Sequence, residues 1–189
     1  MPLNIPNLLT WLRIVLIPLF VGIYYVPGDW LSLRDANLTA AAVFAVASVT
    51  DWLDGYLARR LRQTSPFGAF LDPVADKLMV AAALIVLVYL KRVDPMVSLI
   101  IIGREIAISA LREWMAKIGQ SRSVAVSFLG KVKTTAQMAA ILLLLYHGTI
   151  FTWETEWMGT MLIYAAAVLT LWSMVYYLRM AWPQVLKHS

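Results

Sequence analysis

The chain has 189 residues, of which 61% are apolar or aromatic and only 14% are charged, with a formal net charge of +5. Soluble domains average about 45–50% apolar and about 25% charged residues, and a chain this short has too small an interior to bury such an excess. The composition therefore excludes disordered, fibrous and ordinary soluble proteins, and it predicts an integral membrane protein with a single domain over residues 1–189. Without cysteine, the chain forms neither disulfides nor cysteine-ligated metal sites.

Six apolar stretches follow one another along the chain, each long enough to cross a hydrocarbon core of about 30 Å. They cover Leu8–Tyr25, Leu38–Leu61, Phe67–Leu90, Met96–Met115, Val126–Tyr146 and Met158–Met180. A backbone in lipid must satisfy its own hydrogen bonds, so these stretches predict an all-α integral membrane protein with six transmembrane helices.

The basic residues predict how these helices are oriented. Of the 16 lysines and arginines, only Arg34, Lys91 and Arg92 fall on the side opposite the amino terminus, which leaves 13 on the amino-terminal side. Cytoplasmic loops of membrane proteins carry such an excess of basic residues. The pattern predicts that both termini face the cytoplasm, and it explains the net positive charge without binding to nucleic acid.

Four aspartates interrupt the second and third stretches, although a charge inside a span costs at least about 2.5–3.5 kcal/mol. Asp51 and Asp54 are three residues apart and Asp72 and Asp76 are four apart, so each pair shares a helix face. Four neighbouring carboxylates repel one another unless a cation neutralises them. Oxygen ligands favour Mg²⁺ or Mn²⁺. The pattern predicts a site for two such ions near the cytoplasmic face.

Two other interpretations of the four aspartates remain open at this point. One is a buried network with arginine that only fixes helix packing. The other is the ion pathway of a divalent-cation transporter, since acids inside the membrane often mark such pathways. Transporters commonly contain inverted repeats, and this sequence shows no internal repeat.

The aspartates belong to a longer pattern. The segment DWLDGYLARRLRQTSPFGAFLDPVAD reads as D-x2-D-G-x2-A-R-x8-G-x3-D-x3-D and resembles the signature of the CDP-alcohol phosphatidyltransferases. Every fixed position matches: Asp51, Asp54, Gly55, Ala58, Arg59, Gly68, Asp72 and Asp76. The resemblance implies a homodimeric membrane enzyme that transfers a phosphatidyl group from CDP-diacylglycerol to an alcohol and releases CMP.

The resemblance also implies roles for individual residues. The four aspartates would bind the metal ions, and Asp76 would in addition take the proton of the attacking hydroxyl. Arg59 would pair with the diphosphate, while Gly55 and Ala58 would leave room for the cytidine. The remaining expected donor contacts are Gly68, Asn7 and Thr10. An anchoring helix at the membrane interface would explain the amino-terminal contacts, Arg13 among them, nearly as well.

Cations on the fourth and fifth stretches predict the class of acceptor. Arg104 and Arg112 lie within the fourth stretch, and Lys131 and Lys133 lie at the beginning of the fifth. Topology alone explains Lys131 about as well. Cations beside a metal site suit an alcohol that carries its own phosphate, and glycerol 3-phosphate has both that phosphate and a free primary hydroxyl.

Further segments narrow the resemblance within the family. The sequences NIPNLLTWLR, GREI, SALREWMA and GKVKTTAQ resemble bacterial members whose acceptor is glycerol 3-phosphate. This resemblance implies phospholipid biosynthesis at the bacterial inner membrane, with the active site facing the cytoplasm. The signature itself leaves other acceptors open, namely inositol phosphate and phosphatidylglycerol.

Overall fold

The computed structural model describes residues 5–61, 66–118 and 128–188. Six α-helices make up most of this part of the chain: α1 (Ile5–Gly22), α2 (Leu33–Leu61), α3 (Pro66–Tyr89), α4 (Pro95–Lys117), α5 (Phe128–Tyr146) and α6 (Thr155–His188). They confirm that the six apolar stretches are helical. Two helices are longer than the apolar stretches indicated, because α2 begins with the polar turn around Arg34 and Asp35 and α6 continues beyond Met180. Residues 62–65, between α2 and α3, lie outside the described part of the chain.

A small antiparallel hairpin between α5 and α6 departs from the predicted all-α fold. Its strands are β1 (Thr149–Ile150) and β2 (Trp153–Glu154), with Thr149 opposite Glu154. β-Branched and aromatic residues favour extended backbone, and the turn is made possible by Phe151, whose φ is 57°. Each strand has only two residues, which is too few to produce a recognisable alternation of polar and apolar side chains.

The helices pack against one another in a bundle. Helix α1 contacts α2 and α3, α4 contacts α3 and α6, and α5 contacts α2 and, most extensively, α6. The main core cluster combines small and large buried side chains from these helices, including Phe20, Ala40, Phe44, Ala83 and Leu144. Alanines in α2 and α3 let neighbouring backbones approach closely.

The contact between α5 and α6 depends on Gly159. A Cβ at this position would lie 2.6 Å from the Cγ of Leu144 and 3.3 Å from the carbonyl oxygen of Ala140. Leu144 is fully buried and has no space to move away. We expect Gly159→Ala to lower the free energy of unfolding by about 1–3 kcal/mol, measured as a lower unfolding temperature in detergent.

Gly103→Ala is the matched control for this prediction. Gly103 also lies inside a helix, but no neighbouring atom lies within 4 Å of the position of its Cβ. Alanine favours helix by up to about 1 kcal/mol over glycine, so this variant should unfold at the same or a higher temperature. Equal unfolding temperatures for Gly159→Ala and the unsubstituted protein would contradict close packing at Gly159.

The surface of the bundle is unusually apolar. Large hydrophobic side chains are exposed on all sides, among them Leu19, Val49, Ile85, Ile106 and Trp172. Extended apolar surface of this kind marks contact with a membrane or a partner protein. By length and composition, two of the described helices qualify as membrane spans, over Leu8–Tyr25 and Thr155–Trp182. Charged residues within α2, α3 and α4 reduce the apolar character of those three helices.

Candidate functional site

Helix α1 joins the two aspartate-bearing helices through a pair of buried side chains. Thr10 and Arg13 are three residues apart, so they lie on the same face of α1, and each is at most 1% exposed. The hydroxyl of Thr10 donates a hydrogen bond to Oδ1 of Asp72 on α3. The guanidinium of Arg13 donates from Nη1 to Oδ1 of Asp51 on α2, at 2.5 Å. Helix α1 therefore helps to fix both carboxylates.

Asp76 lies close to these groups. The charged side chains that interact electrostatically with it include Asp51, Arg13, Glu105 and Lys77, which come from four different helices. The structure thus brings carboxylates of α2 and α3 into one region, as the spacing of the aspartates predicts. Asp51 keeps 39% of its side chain exposed, so this region is open to a ligand.

The contacts of several predicted site residues are not described. The side chains of six of them lie outside the described part of the structure: Asn7, Asp54, Gly55, Ala58, Arg59 and Lys131. Gly68 is buried in the first turn of α3.

The chemistry of the described donors fits a hard divalent cation. Asp51, Asp72 and Asp76 offer carboxylate oxygens, which are the ligands that Mg²⁺ and Mn²⁺ prefer. Among the described side chains, no three acidic or histidine groups converge closely enough to hold an ion by themselves. The predicted fourth ligand, Asp54, is not among those side chains.

A second cluster, on α4 and α5, is organised around Glu105. The Lys133 ammonium group forms an ion pair with Oε1 of Glu105, and Nη1 of Arg104 lies 3.3 Å from the same oxygen. Lys133 is 1% exposed and Arg104 is 7% exposed. Two of the predicted cations, Arg104 and Lys133, therefore come together on the carboxylate of Glu105.

Helix α6 completes this cationic cluster. Nη2 of Arg104 donates to the hydroxyl of Ser173 at 3.0 Å, and Nη2 of Arg112 donates to the hydroxyl of Tyr177 at 3.3 Å. Both guanidinium groups also lie over the Tyr177 ring, at 5.8 Å and 5.2 Å from its centroid. The ring face attracts cations and holds the two arginines in place.

The cationic cluster retains capacity to bind an anion. Arg104, Arg112 and Lys133 supply three positive charges, and the carboxylate that contacts two of them is Glu105. The Nε atoms of Arg104 and Arg112 are buried, and within the described residues they have no hydrogen-bond partner. Buried donors of this kind are costly unless an acceptor meets them. An anion with several oxygens, such as a phosphate, supplies such acceptors.

The two clusters adjoin each other. Glu105 interacts electrostatically with Asp76 as well as with the cations that it contacts. The carboxylates of Asp51, Asp72 and Asp76 therefore lie near the cations Arg104, Arg112 and Lys133. Such an arrangement suits a reaction in which two phosphate-bearing molecules meet.

Comparison with known sequences decides the family. The model of the CDP-alcohol phosphatidyltransferase family matches residues 3–172, which is most of the chain. The chain belongs to this family. The matched residues include both aspartate pairs and the cations of α4 and α5. The family that the signature predicted is therefore confirmed over most of the chain.

Curated relatives of the phosphatidyltransferase resemble it over nearly its full length. A protein of Shigella flexneri serotype 5b (strain 8401) and a protein of Escherichia coli (strain K12) are each 51% identical to it over 183 residues. The alignments cover 96% of this chain and 96% of each relative. Both relatives bear the name CDP-diacylglycerol–glycerol-3-phosphate 3-phosphatidyltransferase.

Three residues that contact the cations of this phosphatidyltransferase were not among its predicted site residues: Glu105, Ser173 and Tyr177. Glu105 did carry a signal, because a carboxylate inside an apolar stretch needs a partner. Ser173 and Tyr177 carried none, since serine and tyrosine are ordinary residues of a membrane helix. Their role depends on the packing of α6 against α4, which no local pattern specifies.

Proposed function

We propose that the protein transfers the phosphatidyl group of CDP-diacylglycerol to the primary hydroxyl of sn-glycerol 3-phosphate, yielding phosphatidylglycerophosphate and CMP. The observation that carries the proposal is the proximity of the aspartate region to the cationic cluster: Glu105, which pairs with Lys133, also interacts electrostatically with Asp76. The names of the relatives at 51% identity support the same donor and acceptor.

The aspartates have two tasks in this proposal. Asp51, Asp54, Asp72 and Asp76 would hold two divalent ions, Mg²⁺ or Mn²⁺, and these ions would stabilise negative charge on the transferred phosphoryl group and on the leaving CMP. Asp76 also accepts the proton of the attacking hydroxyl. The hydroxyl oxygen forms a bond to the lipid-linked phosphorus, and the bond from that phosphorus to the oxygen of CMP breaks.

The two substrates occupy neighbouring parts of the site. CDP-diacylglycerol binds along the signature segment and the amino terminus, at Asn7, Thr10, Gly55, Ala58, Arg59 and Gly68. The phosphate of glycerol 3-phosphate binds at Arg104, Arg112, Lys131 and Lys133, where the buried Nε atoms of the two arginines support the assignment. In this arrangement the acceptor hydroxyl would be directed toward Asp76, whose carboxylate is close enough to Glu105 to interact with it electrostatically.

The protein acts as a single domain in the membrane. We propose six transmembrane helices with both termini and the active site on the cytoplasmic side of the bacterial inner membrane, in a homodimer. The exposed apolar side chains around the bundle support membrane insertion. The distribution of 13 basic residues on one side and 3 on the other supports the orientation.

Release of CMP by the purified protein tests the proposed reaction. Detergent micelles containing CDP-diacylglycerol would receive glycerol 3-phosphate, serine, inositol phosphate or phosphatidylglycerol separately, each with and without Mg²⁺ or Mn²⁺. We expect metal-dependent release with glycerol 3-phosphate alone. Release with another acceptor would contradict the assignment of the cationic cluster. No release from folded protein with any acceptor would overturn the reaction and favour cation transport.

The hydrogen bond from Thr10 to Asp72 leads to a prediction about metal affinity. Thr10→Val keeps the shape of the side chain but removes the hydroxyl that donates to Asp72. Side chains that hold a metal ligand in place commonly contribute about 10–100-fold to metal affinity or activity. We expect the Mg²⁺ concentration for half-maximal CMP release to rise about tenfold, while Thr10→Ser stays near the unsubstituted value. Equal metal dependence of all three proteins would contradict this role.

A further inference from the structure

A cavity of about 700 Å³ opens at the opposite end of the bundle from the aspartates. It lies between the beginning of α2, the end of α3 and the end of α5. Asn37 in its wall and Asp51 are fourteen residues apart on one helix, or about 20 Å at 1.5 Å per residue. Its volume is within the range of about 300–1,000 Å³ that is typical of ligand sites. The proposed reaction makes no use of this cavity.

The lining of the cavity is both basic and apolar. Arg34, Arg92 and His147 supply groups that carry or accept a proton, and Leu38, Leu90 and Tyr146 supply apolar surface. This combination suits a ligand with a negatively charged group next to hydrocarbon.

Arg92 is held rigidly at the cavity. Its Nη1 donates to the carbonyl oxygens of Leu144 and Leu145, at 3.0 Å and 3.2 Å, and its Nη2 donates to Oδ1 of Asn37 at 3.0 Å. The backbone that presents it is constrained too, because the preceding residue Lys91 has a φ of 58°. A fixed guanidinium loses little freedom when it binds an oxyanion.

The positive charge at the cavity is only partly compensated. Within the described part of the chain, neither Arg34 nor Arg92 makes an ion pair. Tyr24 and Glu156 interact electrostatically with Arg92, and the Glu156 carboxylate also lies 3.4 Å from Nε2 of His147. Burial lowers the pKa of the Arg92 guanidinium, so a nearby anion would favour its charged form.

The position of these arginines in the sequence is also informative. Only three of the 16 basic residues lie on this side of the protein, and two of them line this cavity. Basic residues on the outer side of a membrane protein act against the charge bias that sets its orientation. The charge bias does not explain why both arginines line one cavity, whereas a negatively charged ligand does.

We infer that this cavity binds a phosphate group whose oxygens contact Arg34 and Arg92. When the phosphate belongs to a lipid, the apolar wall of the cavity contacts the attached hydrocarbon. The phosphate has two sources: the headgroup of an anionic phospholipid in the outer leaflet, or a free phosphate in the surrounding solution. The inference is independent of the acceptor used at the aspartates.

Native mass spectrometry of the full-length protein in detergent tests this site with phosphatidylglycerol and with inorganic phosphate as probes. Arg34→Gln is the informative variant, because Arg34 is exposed and its loss leaves the hydrogen bonds of Arg92 in place. Lys91→Gln is the matched control, since it removes the third basic residue of the same side without changing the lining of this cavity. Release of CMP by both variants, at the unsubstituted rate, verifies that they are folded.

We expect Arg34→Gln to weaken phosphatidylglycerol binding about tenfold, as for loss of a charged hydrogen bond, and Lys91→Gln to leave it unchanged. If millimolar inorganic phosphate does not displace the lipid, the headgroup is the source. If phosphate displaces it and itself binds less well to Arg34→Gln, free phosphate is a second source. Equal binding by all three proteins, or equal weakening in both variants, would overturn the inference.

Discussion

Replacing Asp76 by asparagine is expected to reduce CMP release by at least about a hundredfold while the helices remain folded. Asparagine has the size of aspartate, but its amide does not take up a proton at neutral pH and is a poorer metal ligand. Asp76 also interacts electrostatically both with Asp51 and with Glu105. The rate of CMP release at saturating donor, acceptor and Mg²⁺ measures the effect.

Asp29→Asn is the matched control for this prediction. Asp29 is an exposed aspartate between α1 and α2, so the same chemical change there should leave CMP release intact. Circular dichroism of both variants checks that helix content is unchanged. A rate above a tenth of the unsubstituted value in folded Asp76→Asn would refute the role of Asp76 as the base.

Replacing Glu105 by glutamine is expected to destabilise the bundle strongly. The ammonium group of Lys133 is buried and forms an ion pair with Glu105. Removal of one partner of such a pair leaves a buried charge without compensation, which costs about 3–5 kcal/mol. Because a quarter of the Glu105 side chain, 24%, is exposed, we expect a loss near the lower end of this range. Thermal unfolding in detergent measures the change.

The double variant Glu105→Gln, Lys133→Met separates the stability of the pair from its function. Methionine has about the volume of lysine and carries no charge, so removal of both charges should restore most of the lost stability. The double variant lacks the Lys133 cation at the acceptor site. Its KM for glycerol 3-phosphate should therefore be at least about tenfold higher than that of the unsubstituted protein. If single and double variants unfold at the same temperature, the ion pair does not stabilise the bundle.

Local sequence patterns predicted the helices and the proximity of the aspartates of α2 to those of α3. Apolar runs define α1 to α6 because the backbone in lipid has few alternatives to a helix. The intervals between Asp51, Asp54, Asp72 and Asp76 place each pair on one face, since helical periodicity relates residues three and four apart. The polar beginning of α2 and the hairpin before α6 were not predicted. Both are short, and the apolar runs from which the helices were predicted do not extend into them.

The sequence by itself determined the class of protein, the family and the residues with unusual chemistry, because charges inside apolar stretches are recognisable without knowledge of their neighbours. Only the tertiary structure decided which of these groups are partners. It placed Thr10 and Arg13 against two aspartates, Lys133 against Glu105, and Tyr177 beneath two arginines. Each of these contacts joins residues of different helices that are at least 28 positions apart in the chain. Side-chain packing between helices has no signature in any one segment.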